Sequence, residues 1–348
     1  MRNDYLELHI SPSEKGLEEG LTVKQFLRGN LRFSAHQISR IKYRPAGILL
    51  NGAPCRVNAG LRANDVLRIR LDDPPRSDIS PPAENDEINA FAENDLTPDE
   101  KSASARSGPA PIENGASPEN RPVPSLLYED DYLLIADKPA GMVSHPSHGH
   151  HGDSALDLLA AECGRLYLIG RLDKDTSGVL LFAKHLETAS FLTRARNCGE
   201  VEKRYLARIR GSITPSVGTI CAPIGVAQEF PLKMHVDAER GKSAVTHYRT
   251  VYSDSSCSIL SVQIEHGRTH QIRVHLSSLG HPLEGDALYG TQEVPEAIPG
   301  AMPRQPNVDP KPAYACLHAA SIHLFHPYTG EELSVSAPLP TWCEGKAR

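Results

Sequence analysis

The stretch Gly170-Arg171-Leu172-Asp173-Lys174-Asp175-Thr176-Ser177-Gly178 holds the residues best equipped for covalent chemistry. Apolar runs flank it, Leu166 to Ile169 before and Val179 to Ala183 after. It therefore reads as a loop emerging from a sheet, where a rigid scaffold can aim a side chain. Asp173 has two cations beside it, Arg171 and Lys174, and two hydroxyl donors, Thr176 and Ser177. Such neighbours favour the ionised carboxylate, the form a nucleophile needs. Gly178 permits close backbone approach ahead of the next strand. The competing reading is a turn carboxylate paired with Arg171, because turns also collect aspartate.

A second set is rich in histidine. His145, His148, His150 and His151 crowd against Asp153. A zinc hydrolase could use such ligands. The order His-Pro-Ser-His-Gly-His-His-Gly lacks a helical i, i+4 frame, however, and its glycines suggest a mobile loop near a cleft. No metal site is expected there, nor from His266, His270 and His275. His270 is expected to orient a cleft or to contact phosphate.

The elements that must position Asp173 follow from patterning. Leu133 to Ala136 reads as a buried strand ending at the turn Lys138-Pro139-Ala140-Gly141. Ser154 to Cys163 is expected to be a helix with Ser154 as N-cap, and His185 to Cys198 a helix stopped at Gly199. Lys203–Arg210, Ser243–Val251, Ile259–Glu265, Ala320–Phe325 and Glu332–Ala337 read as strands, and Thr269–Leu279 as a helix. Hairpin-joined strands with interspersed helices and no βαβ rhythm give an α+β class. Thr291 to Pro312 is expected to be a surface loop.

Charge divides the chain further. Between Leu21 and Leu71 ten lysines and arginines are opposed by Asp65 alone, a balance of +9, although the whole chain carries −6. Residues 72–125 reverse the sign to −8 and hold ten prolines. Without apolar periodicity they cannot bury enough surface to offset ordering entropy, so they are expected to form a disordered acidic linker. Two folded domains are thus expected, 1–71 and 126–342. The first contains two short helices between Thr22 and Arg44, then strands at Gly47–Gly52 and Asp65–Arg70. So strong a basic segment attracts a polyanion in a salt-sensitive way; the bland alternative is a solvated charged face. Seven scattered cysteines without a Cys-x-x-Cys pair argue against a disulfide framework or thiolate zinc. No signal peptide or membrane span is expected, which places the protein in the cytoplasm.

The loop around Asp173 resembles the signature His-Arg-Leu-Asp-x-x-Thr-Ser-Gly of RluA-type pseudouridine synthases, matched from Arg171 through Gly178. The resemblance continues in Asp137 to Pro146, Glu202 to Ala207, Gly267 to Leu276, Leu317-His318-Ala319 and His326-Pro327. The N-terminal segment resembles an S4-type RNA-binding module, with Leu50-Asn51-Gly52 and Asn64-Asp65 at its turns. The resemblance implies a mixed, mainly antiparallel sheet with a catalytic cleft, plus a small α/β S4-like domain. It implies that Asp173 attacks ribose C1′ or uracil C6 of an extruded uridine. It further implies that Tyr205 stacks on the base and could assist proton removal, and that Arg273 pairs with Asp173.

Arg171, Thr176, Ser177, His145, Arg268, His270 and Gln271 are expected to contact substrate. Lys203, Arg204, Arg208 and Arg210 could line an RNA groove or be plain solvated charge. The expected partner is ribosomal or transfer RNA, with no cofactor, metal or membrane, for a monomer. Gly170 departs from the signature histidine and puts loop rigidity or flanking RNA contacts in question. Together with the loop after Gly290 it favours the alternative of a non-catalytic RNA-binding or ribosome-assembly factor on the same fold.

Overall fold

The computed structural model describes residues 5–71, 123–147, 150, 152–227, 233–290 and 312–344. The acidic 72–122 segment and residues 291–311, expected as linker and loop, lie outside the described residues.

The N-terminal unit contains β1 (Tyr5–His9), α1 (Val23–Gly29), α2 (Ala35–Lys42), β2 (Ile48–Leu50), β3 (Ala53–Pro54) and β4 (Val66–Arg70). Both helices start where the sequence offers a capping box, Thr22 with Gln25 and Ser34 with Gln37. The strands form an antiparallel sheet in the order β1-β4-β2-β3. Asn51 and Gly52 close the β2–β3 hairpin with positive φ at both positions, the geometry of a type I′ turn. Val23, Phe26, Leu27, Ile38, Ile41, Leu67 and Ile69 make the core of this unit.

The larger unit is built on one sheet. Its elements are β5 (Ser125–Glu129), β6 (Leu133–Lys138), α3 (Ala155–Cys163), β7 (Tyr167–Leu168), β8 (Ser177–Ala183), α4 (Leu186–Asn197), β9 (Glu202–Arg210), β10 (Val217–Cys221), β11 (Ile224–Val226), β12 (Met234–Val236), β13 (Val245–Ser253), β14 (Cys257–Glu265), α5 (Gln271–Ser278), β15 (Leu317–Phe325) and β16 (Glu332–Ser336). The order is β10-β13-β14-β9-β15-β8-β6-β5, with β7 on β8 and β16 on β15, while β11 and β12 pair separately. Among the described residues β15 and β8 are the parallel pair and every other pairing is antiparallel. The class is α+β, as the patterning indicated.

Strand period explains why β6 and β8 are apolar on both faces. Leu134, Ala136, Leu180 and Phe182 face a core shared with Tyr205, Ile272 and Leu276. Leu133, Ile135, Val179 and Leu181 face the opposite core, where α4 adds Ala189 and Leu192. The first face carries the cleft.

The units meet at Glu187, the first turn of α4. Its fully buried carboxylate takes Arg40 at 2.7 Å and Arg44 at 3.3 Å, and Gln37 donates to its backbone carbonyl at 3.3 Å. Arg32 pairs with Glu200 at 2.7 Å. Part of the N-terminal positive charge is therefore internal, which corrects the picture of an undivided polyanion face. Lys24, Arg28, Lys42, Arg56 and Arg62 remain exposed. The first strand of the large sheet begins at Ser125, and β1, β3, β5, β10 and the β11–β12 pair were not evident from patterning. β10 has a single buried residue, Ile220, too little for an apolar rhythm to register. All seven cysteines are free. Among the described residues no cluster of metal-ligating side chains forms, and no helix is long and apolar enough to cross a membrane.

Candidate active site

The Gly170–Thr176 loop joins β7 to β8, and three anchors hold it. Ser144 clamps Leu172 twice: its Oγ donates to the carbonyl at 2.7 Å and accepts the N–H at 3.0 Å. The backbone N–H of Gly141 donates to the Lys174 carbonyl at 2.8 Å. Lys138, fully buried at the end of β6, donates to the carbonyls of Pro139, Met142 and Lys174 at 2.9, 2.7 and 3.1 Å. Burial pushes its ammonium down to about 7, against the attraction of Asp173 and Asp175. Gly178 lets the loop run straight into β8: its φ is +104°, and a Cβ there would lie 2.2 Å from the Ala319 carbonyl oxygen. Only glycine allows β8 and β15 to pair so closely.

The opposite wall comes from the turn before α5. His266, Gly267 and His270 all take left-handed φ, a concentration of strain typical of functional sites. Gln271 explains how the turn survives. Its Oε1 accepts the Arg268 N–H at 2.8 Å, and its Nε2 donates to the Val245 carbonyl, Thr246 Oγ1 and the Glu265 carbonyl at 2.8, 3.1 and 3.2 Å. Gln271 borders the cleft but its polar atoms are engaged by the protein, so the structure makes it a brace rather than a free substrate contact.

Asp173 lies between these walls, with its side chain 23% exposed. Arg273 Nη1 approaches its Oδ2 at 3.4 Å, and His270 Nε2 stands 4.0 Å from the same oxygen. Arg273 is fixed by Asp286, whose fully buried carboxylate accepts from Nε at 2.8 Å and Nη2 at 2.9 Å. Burial alone would lower the guanidinium's affinity for its proton; the Asp286 hydrogen bonds and the charges of Asp173 and Asp286 reverse that and push it well above its ordinary value. Burial likewise works to raise the Asp286 carboxyl, but Arg273 and the N–H groups of Tyr289 and Leu288 hold it below the usual range.

The partner of Nδ1 favours one tautomer of His270. Tyr289 Oη accepts the Met234 backbone N–H at 2.9 Å and sits 2.9 Å from His270 Nδ1. A tyrosine hydroxyl has one proton, and here its available acceptor is Nδ1. With the Tyr289 proton given to Nδ1, His270 Nε2 carries the hydrogen, 4.0 Å from the Asp173 carboxylate. Burial pulls the imidazole's affinity for a second proton down, opposed by Asp173, which keeps the ring neutral at pH 7.

Tyr205 is buried on β9, on the cleft face. Burial, with the nearby charge of Asp173, pushes its phenol well up. It therefore holds its proton at neutral pH. Arg171, Asp173, Thr176, Tyr205, Arg268, His270 and Gln271 line one cleft of about 80 Å³. Ser177 instead bonds His318 Nδ1 at 2.8 Å and does not line that cleft. His145 lies behind it, its Nε2 3.4 Å from Arg171 Nη1. His150 pairs with Asp153 at 3.0 Å, and His148 and His151 lie outside the described residues.

Lys138, Ser144, Asp286 and Tyr289 escaped sequence reasoning as site residues. Lys138 and Ser144 stand inside a matched motif, a usable signal. Nothing in the spacing of Asp286 or Tyr289 from Arg273 announces a partnership. Gly170 also gains an account. At φ +78° it would place a Cβ 2.8 Å from Arg196 Nη1 and 3.5 Å from its Cδ. The guanidinium of α4 occupies the place where a side chain at 170 would project.

The model describing RNA pseudouridylate synthase matches residues 132–278. Ribosomal large subunit pseudouridine synthase D of Nitrosomonas europaea is 38% identical over 235 residues, 66% of this chain and 66% of that one. The uncharacterized RNA pseudouridine synthase YjbO of Bacillus subtilis is 30% identical over 328 residues, 92% of this chain and 96% of its own length. Among solved structures, human RNA pseudouridylate synthase domain containing 1 is 28% identical with a TM-score of 0.49, covering 65% of this chain and 86% of that one. With ordered motifs, a mixed sheet and relatives aligned along most of its length, the chain belongs to the RNA pseudouridylate synthase family, in its RluA/RluD-type branch, and is an RNA pseudouridine synthase.

Proposed function

We propose that the enzyme isomerises uridines in structured ribosomal RNA with Asp173 as nucleophile, Arg273 as its counter-charge and Tyr205 as the surface on which the base lies. The observation that carries this reading is the 3.4 Å approach of Arg273 to Asp173 at the bottom of a cleft that Tyr205 also lines. Asp173 attacks ribose C1′ or uracil C6. Either route detaches the base, rotates it and rejoins it through C5; the C5 hydrogen leaves as a proton and N1 gains one. No atom is imported and no net electron moves, so the reaction calls for neither cofactor nor redox partner. Protonated Tyr205 serves as a stacking surface and hydrogen-bond donor. Neutral His270 places its Nε2 beside the Asp173 carboxylate.

A uridine inside a stacked helix hides the reacting bonds, so it must be extruded. The N-terminal unit acts as an S4-like RNA-binding domain through Lys24, Arg28, Lys42, Arg56 and Arg62, docked on the catalytic unit of a monomer. The ribosomal substrate rests on the likeness to the ribosomal large subunit synthase of Nitrosomonas europaea. The test treats ribosomal RNA from a strain lacking the gene with purified enzyme, then maps pseudouridine by carbodiimide modification and primer extension. A small set of discrete new sites is expected. No new site, or the same sites with Asp173→Asn, overturns the reading.

A further inference from the structure

The space above Gly170 is filled by a guanidinium. Arg196 sits in the last turn of α4, half-buried, with its Nη1 2.8 Å from where a Gly170 Cβ would stand. Gly170 begins the loop that ends in Asp173, so this guanidinium borders the catalytic loop itself. Lys203 lies close by. It is two residues before Tyr205 on β9, and strand period puts both on the same face of the sheet. Among the described residues, the side chains of Arg196 and Lys203 have neither a hydrogen-bond nor an ion-pair partner. Burial first, and then Arg196, push the Lys203 ammonium down to about 8, and Arg196 opposes the upward push on the Tyr205 phenol. Three groups from α4, β9 and the loop thus converge, and two of them are cations that repel one another.

Such a pair is unfavourable in isolation, and an anion between the two relieves it. Two carboxylates of the flanking segments are already engaged: Glu200 holds Arg32 at 2.7 Å, and Asp173 faces Arg273 at 3.4 Å. We propose that Arg196 and Lys203 form a phosphodiester-binding subsite beside the catalytic loop, taking the RNA backbone next to the extruded uridine, and that Gly170 leaves the room it needs. This rests on the reading of the cleft as a uridine site. It also gives the missing side chain at 170 a purpose: a larger residue would displace the guanidinium. The forked guanidinium suits two phosphate oxygens, while the ammonium serves as a point charge. Held at this place, a backbone phosphate would keep the flipped nucleotide over Tyr205.

The test is binding of a fluorescent single-stranded oligouridylate, followed by anisotropy over a series of salt concentrations. The proteins are wild type, Arg196→Gln, Lys203→Gln and Arg196→Lys, each first checked for an unchanged thermal melt. Loss of a phosphate contact makes the slope of log affinity against log salt shallower by about 0.7 per neutralised charge on a single strand. That change is expected for both glutamine variants, with the slope largely restored in Arg196→Lys. In turnover on ribosomal RNA the loss falls more on KM than on kcat. Slopes equal to wild type in both glutamine variants overturn the subsite. The functional reading is judged separately, by whether wild type forms pseudouridine. Active wild type with unchanged slopes therefore removes the subsite alone, and inactive wild type with shallower variant slopes removes the isomerase reading alone.

Discussion

Replacing Arg273 by glutamine tests the electrostatic frame of the site. Arg273 is 6% exposed and makes two hydrogen bonds of 2.8 and 2.9 Å to Asp286, whose side chain is fully buried, besides its approach to Asp173. Glutamine removes the charge and leaves the Asp286 carboxylate buried with only the backbone N–H groups of Leu288 and Tyr289. Breaking one side of a buried ion pair in this way costs about 3–5 kcal/mol. For a unit of this size that is a fall of roughly 6–20 °C in melting temperature.

The pH dependence should change sign as well. In the wild type the Asp286 carboxyl is held below its ordinary value, so its contribution is present above the unfolded pKa of about 3.9 and lost as acid takes the protein through the lowered folded value. In Arg273→Gln, burial without the guanidinium raises that carboxyl. The penalty is then full at neutral pH and shrinks as pH falls toward the unfolded value, because the folded state now binds the proton more tightly. Thermal melts of both proteins at intervals from pH 7.5 to pH 5 make the comparison. Both proteins should lose stability as acid forces the buried His270, His275 and His318 to charge, and the deficit of the variant relative to wild type should narrow. A deficit under about 1 kcal/mol, or one constant with pH, would refute the assignment of Asp286 as a buried ion held by Arg273.

Three further predictions follow from the same geometry. Tyr289→Phe should release His270 Nδ1, so NMR of ring-labelled histidine should show the Nε2–H tautomer of wild type give way to a mixture; an unchanged tautomer would contradict the hydrogen-bond count. Lys138→Met should leave the carbonyls of Pro139, Met142 and Lys174 without their donor and cost about 3 kcal/mol or more, since buried acceptors lose roughly 1–3 kcal/mol each while relief from burying the ammonium returns part; urea unfolding with an unchanged midpoint would contradict this. Glu187→Gln should weaken the seat of Arg40 and Arg44 by about 3–5 kcal/mol and expose the join between the units to limited proteolysis, whereas a wild-type digestion pattern would show that the ion triad does not hold them.

The sequence was most informative where chemistry and backbone geometry coincide. Asp173, Tyr205 and Arg273, from a loop, a strand and a helix, were picked out by motifs; the structure puts Asp173 and Tyr205 in one cleft and Arg273 against Asp173. Ser154 marked a helix start because the cap is a local interaction. Long-range partnerships were invisible. Asp286 serves Arg273, and Glu187 takes two arginines from another unit, through contacts that no local spacing encodes. Gln271 and Ser177 show the converse: each stands within a matched motif, yet its polar atoms are engaged by the protein itself. The role of Gly170 required knowing that Arg196, twenty-six residues on, returns over the loop.

The central claim is that the carboxylate at position 173 forms the bond to uridine. Single-turnover release of tritium from RNA labelled at uracil C5 tests it most directly, comparing wild type with an Asp173→Asn protein shown to fold and to bind the same RNA. The account predicts rapid release from wild type and none above background from the variant. Release from the variant at a rate near that of wild type would contradict it.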